Sequence, residues 1–135
     1  LSKFLEVIII LLIIISIIIV VSIFYVEEQK SNKIKSSENN FYLVKNEISL
    51  AILECQKKSL DWKFGGLCSD IPKVKNIENY FKNKKIVINP YNNKKGLNSG
   101  DGGVSINILG KKIILTSDFD VDGSDNVEHL FILEE

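Results

Sequence analysis

The sequence predicts an α+β fold, in which a long N-terminal α-helix with an apolar first half packs against a small antiparallel β-sheet head. Three observations predict it. Residues 7–25 read VIIILLIIISIIIVVSIFY, an apolar run broken only by Ser16, Ser22 and the terminal Tyr25. Apolar residues then recur at helical spacing from Phe41 to Cys55. The last third of the chain carries short alternating runs separated by glycine-containing turns.

The apolar run holds nineteen residues, which at ~1.5 Å per residue cover roughly 28 Å, close to the hydrocarbon thickness of a bilayer. Its β-branched residues favour a strand in water. In lipid, however, every backbone group needs an internal partner, so a lone segment is expected to be helical and to cross once. No Gly or Pro interrupts the polar stretch Glu27–Asn40, so the helix is expected to continue to about Leu60, with a loosening around Lys35–Asn40. Phe41, Val44, Ile48, Ile52 and Cys55 follow at spacings of three and four, which marks one apolar face. The expected organisation is a membrane or filament-core helix over 1–28 and a head over 29–135 that includes the second half of the long helix.

Gly65-Gly66 ends any helix, and Val74, Ile77, Tyr80 and Phe81 after Pro72 predict a short second helix. Strands are expected at Lys85–Asn89, Val104–Leu109, Lys111–Ser117 and His129–Leu133. The middle two are separated only by Gly110, so they should form a tight hairpin. An antiparallel sheet laid on the striped half of the long helix would bury both apolar faces.

With 135 residues the chain has room for one domain, and its 17 basic and 17 acidic residues balance. It contains no Arg, so no basic, phosphate-gripping patch is available and nucleic acid is not an expected partner. The sequence also lacks Met and begins Leu1-Ser2-Lys3. A secretory signal loses its apolar segment on cleavage, whereas here the segment is retained, so a cut just before it is expected. Cys55 and Cys68 have no His or further Cys near them to complete a zinc site. A disulfide is the favoured reading, which would place the head in an oxidising compartment; two free buried thiols are the alternative.

The start Leu1-Ser2-Lys3-Phe4-Leu5, then Glu6, then an unbroken apolar helix ahead of a small α+β head, resembles the type IV pilins and their secretion-system relatives, the pseudopilins. The resemblance in sequence covers roughly the first 28 residues. It implies that a prepilin peptidase cleaves ahead of the apolar segment and methylates the new N-terminus, and that Leu1 and Glu6 serve assembly. The implied partners are the membrane, an assembly platform and further copies of the chain, in an extracellular filament drawn from a precursor pool in the cytoplasmic membrane. Glu6 stands one place later than the family's usual fifth position, and Leu1 replaces the more common Phe. Independently of the resemblance, an unpaired carboxylate at the edge of an apolar helix costs several kcal/mol to bury, so Glu6 needs a partner such as an α-amino group. A headgroup-level acid favoured by the helix N-terminus is the competing reading.

Asp118, Asp120, Asp122 and Gly123 spell D-x-D-x-D-G, the first half of an EF-hand loop, in which alternating carboxylates converge on a hard cation. The second half fails, because the twelfth position is His129 and Glu128 falls one place early. A Ca2+ loop between strands, completed by Asp125, Asn126 or Glu128, stands beside a plain acidic turn. Pseudopilins have a calcium-stabilised loop near the C-terminus, which adds weight to the first. Around His129, the sole histidine, there is no recognisable nucleophile motif, so an enzyme is not expected. Two alternatives accompany the structural filament subunit: a pseudopilin of a type II secretion system, and a single-pass anchored calcium-binding module.

Overall fold

The computed structural model describes the chain apart from residues 1, 58–59, 85–86, 120–125 and 134–135, and apart from the Asn126 side chain. Its elements are α1 (Ser2–Gln56), α2 (Val74–Lys84), β1 (Val104–Leu109), β2 (Lys112–Asp118) and β3 (Asn126–Ile132). This is the expected α+β class. The chain divides into two compact units, Leu1–Asn32 and Lys33–Glu135. The first holds the apolar part of α1; the second holds the remainder of α1 and the head.

In the second unit α1 turns Ser37, Phe41, Val44, Ile48 and Ala51 inward, at spacings of four and three. The inward stripe therefore starts a turn earlier than expected, and Ile52 and Cys55 lie at its edge. The helix runs through Lys35–Asn40 without the expected loosening and ends at Gln56 instead of Leu60. From α2 the stripe receives Ile77 and Phe81, which the 3.6-residue period places on one face.

The three strands form an antiparallel meander in the order β1-β2-β3. Val104 pairs with Ser117, Ile108 with Ile113, and Ile113 with Phe131. One face thus presents Val104, Ile113, Leu115 and Phe131 to the same hydrophobic core as the α1 stripe. The β1–β2 turn is Gly110-Lys111, with Leu109 paired to Lys112. Gly110 has φ 60° while Lys111 does not enter positive φ, the pattern of a type II′ hairpin turn, whose first central position suits glycine.

Of the strand expected at 85–89, residues 85–86 lie outside the described residues, and 87–89 form no strand. Ile88 makes only an isolated bridge to Lys95, because Pro90 follows directly and has no N–H to continue a ladder. Asn89 is buried instead and organises the next loop. Its Nδ2 donates to Asn98 Oδ1 and to the Asp101 carbonyl, and its Oδ1 accepts from the Tyr91 amide. Gly102 lies so close to the Tyr91 ring that an added Cβ would overlap it. The Gly102 carbonyl accepts the Ser37 hydroxyl of α1 and the Gly103 carbonyl accepts that of Ser117 on β2. These two bonds fasten the 100–103 turn between helix and sheet while satisfying both buried hydroxyls.

Candidate functional site

The first unit presents an apolar helical surface. From Phe4 to Val26 the large apolar side chains are about half or more exposed, apart from Ile8, which is partly covered. Within the run, the Ser16 hydroxyl donates to the Leu12 carbonyl and that of Ser22 to the Ile18 carbonyl. Their polarity is satisfied inside the helix, so the surface makes no polar demand on whatever covers it. Among the described residues, α1 is the one helix long and apolar enough to cross a membrane. Glu6 is exposed near its start. Leu1, the other expected assembly residue, lies outside the described residues.

The second half of α1 carries a feature the periodicity did not predict. Tyr42, Leu50 and Leu53 are each about half exposed. On a helical wheel they cluster ~170° away from the buried stripe. Opposite the face that the head covers, this part of the helix thus exposes three large apolar side chains, with Asn46 between them.

Cys55 and Cys68 are joined in a disulfide with Cα atoms 5.5 Å apart. The bond ties the end of α1 to the segment before α2. Around it the Trp62 indole N–H donates to the Asp70 carbonyl, and the Trp62 amide to the Gly66 carbonyl. A second tie lies about two turns earlier on α1. Glu47 accepts from Lys63 at 2.7 Å and from the Tyr80 hydroxyl at 3.0 Å, while Lys84 sits over the Tyr80 ring, 4.8 Å from its centroid. The Lys63 hydrogen bond holds the Glu47 carboxyl below its ordinary range, against an opposing effect of burial, and Glu47 in turn raises Lys63. Glu47 and Lys63 are sixteen positions apart on either side of the end of α1 at Gln56, so no local pattern announces the pair.

Of the expected calcium ligands, Asp120, Asp122 and Asp125 lie outside the described residues. Asp118 pairs with Asn126, and Glu128 with Thr116. Asp118 and Glu128 therefore point to the same, outward face of the sheet at diagonal positions, about 7–8 Å apart at the backbone. Both line a polar groove of about 480 Å³ with Gly100, Gly103, Ser105 and Thr116. The described residues include no set of three metal-ligating side chains.

His129 is on the inward side of β3, opposite Leu115. Its ring meets Phe131 edge-on at 4.5 Å. Burial first, and the nearby Lys45 second, push its pKa below the ordinary 6.5. The folded state thus prefers neutral imidazole, and its contribution to stability is complete above about pH 6.5 and lost as pH falls through the lowered value. Glu47 acts in the same direction below about pH 4.5. The melting midpoint of the full chain in detergent should fall as pH drops below 6.5, and His129→Gln should flatten the upper part of that fall.

No family model matches this chain, and neither does any curated protein or solved structure.

Proposed function

We propose that this chain is a structural, non-catalytic subunit of a type IV pilus-like filament that polymerises through α1. The observation that carries this reading is the exposure of Tyr42, Leu50 and Leu53 on α1 beyond the membrane-length run. A bilayer accounts for residues 7–25, but Tyr42, Leu50 and Leu53 lie past the length that a bilayer covers. A plain anchored module has no use for an outward apolar stripe there. Helices of neighbouring copies supply the cover that both surfaces lack, and lipid contact is exchanged for helix contact as a subunit leaves the membrane. The Cys55–Cys68 bond fits a head on the oxidising side.

In this account a prepilin peptidase exposes an α-amino group ahead of the apolar run, and Glu6 pairs with such a group, its own or a neighbour's, on entry into the filament core. An assembly platform in the cytoplasmic membrane draws subunits from the precursor pool. The outward stripe provides the test. Leu50→Asp with Leu53→Asp should leave membrane insertion and the thermal midpoint of the head unchanged, because neither side chain is in the core, yet reduce sheared surface filaments by tenfold or more. Normal filaments in that variant would remove the stripe from assembly.

The same chemistry accommodates calcium at the acidic end of the sheet. Asp118 and Glu128 share a face there, and carboxylate oxygens are the donors a hard cation takes. When bound, Ca2+ would neutralise the repulsion between the carboxylates and tie β2 to β3. At free calcium a hundred times the dissociation constant, the gain is about 2.7 kcal/mol. A melt of the full chain in detergent should then rise with millimolar calcium, fall with chelator, and lose this difference in Asp118→Ala with Glu128→Ala. Identical melts in calcium and chelator would leave a plain acidic turn. A calcium response would also favour the pseudopilin form of this proposal over a long surface pilus.

A further inference from the structure

The register of the sheet fixes what its outward face carries. Ile113, Leu115 and Ser117 of β2 point into the core, so Lys112, Ile114, Thr116 and Asp118 point outward, each beside its strand partners. The row at the turn end is Leu109, Lys112 and Ile132. Asn107, Ile114 and Leu130 form the next row, and Ser105, Thr116 and Glu128 the third. Strands lie ~4.8 Å apart and successive rows ~7 Å, so Leu109, Ile114, Leu130, Ile132 and the aliphatic stem of Lys112 make one contiguous patch. Leu109 is 58 % exposed, Leu130 45 % and Ile132 62 %. Lys111 and Lys112 stand at the turn end of this patch, and Glu128 and Asp118 lie beyond its other end. The face therefore runs from basic through aliphatic to acidic.

We propose that this face associates with the same face of a second copy, about a two-fold axis that passes between the two aliphatic rows. Such an axis lays Ile132 of one copy over Leu130 of the other, and Ile114 over the Lys112 stem, each of them twice. It also carries Glu128 of each copy past the other's aliphatic rows to the turn end, within reach of the Lys112 side chain. Both ends are then complementary in charge. Stacking each row on its own equal would instead bring Lys112 against Lys112 and Glu128 against Glu128. An anionic lipid surface would suit the turn end and be repelled by the acidic end. A second copy turned in this way suits all three parts of the face. β1 has six residues and β2 and β3 have seven, so the three strands span roughly 14 Å by 24 Å, a footprint of about 340 Å². That is about half of the ~800 Å² per partner of a standard interface, which makes the contact transient between free chains and populated where copies are held close together. This inference does not rest on the filament reading, which concerns α1.

The test places a photo-reactive phenylalanine analogue at Ile132 of the full chain, in mixed micelles of detergent and anionic lipid. Chelator is present, because calcium at Asp118 and Glu128 would compete for the acidic end. Illumination should link one copy to Leu109, Ile114 or Leu130 of another. Lys112→Glu alone, or Glu128→Lys alone, should lower the yield roughly five-fold, since the charge pair is made twice, and the two together should restore it. All three positions are exposed, and an unchanged melting midpoint in each variant shows that any loss is one of contact and not of folding. Links to lipid only, links to a part of the second copy outside the outward sheet face, or a double variant no better than the single ones would overturn the proposal.

Discussion

Cells that carry Glu6→Ala are expected to keep the chain in the membrane with its head folded and to lose surface filaments almost entirely. The side chain is exposed at the start of α1 and distant in sequence from the core at Phe41–Ala51, so its removal costs the head nothing. Its replacement by alanine also makes the helix more apolar, which favours the bilayer over any polymer. The loss is specific to assembly. Inside a filament core an unpaired N-terminal ammonium costs several kcal/mol, and every subunit bears that cost once its carboxylate partner is gone. At ~1.4 kcal/mol per factor of ten, even half of that lowers the yield by more than tenfold. Glu6→Asp, which retains the charge on a shorter arm, should recover part of the assembly. Abundant filaments in Glu6→Ala would assign the residue to the headgroup region instead.

Phe41→Ala is expected to have the largest effect on the head. Phe41 is 2 % exposed, its ring meets Phe119 edge-on at 5.8 Å, and it joins the α1 stripe to the rest of the core. Truncating a buried phenylalanine typically costs 3–5 kcal/mol, because it removes apolar burial and leaves a cavity. For a unit of about a hundred residues this corresponds to a fall of roughly 15–30 °C in melting midpoint. The contrast with Leu53, on the opposite side of the same helix, makes the result informative. Leu53→Ala should scarcely move the midpoint while weakening assembly. If Phe41→Ala were to melt like the parent chain, the inward assignment of the stripe would be wrong.

Much of this architecture was legible from residue spacing alone. Val44 and Ile48 announce their face because a helix repeats every 3.6 residues, and Gly110 between two alternating runs specifies a hairpin because few residues accept its backbone conformation. The parts that escaped depend on distant partners. Val87–Asn89 has strand composition, but Pro90, which has no N–H, follows directly, and the pairing described there is the Ile88–Lys95 bridge. β3 begins at Asn126 and not at His129, because its start is set by the length of β2 opposite. Ser37 lies in a polar stretch and reads as solvent-facing, yet it continues the inward stripe and finds its acceptor at Gly102. Tyr42, Leu50 and Leu53 are visible in the sequence as apolar residues. Only the burial of the opposite face shows that the head leaves about half of each uncovered.

Cryo-electron microscopy of filaments sheared from cells that express this chain tests the central claim most directly. The account predicts a helical polymer of this subunit, with residues 7–25 packed in its core, Glu6 within reach of an α-amino group, and Tyr42, Leu50 and Leu53 against a neighbouring helix. Recovery of the chain only from the membrane fraction, with no filament containing it under conditions where the cells assemble surface fibres, would contradict the account.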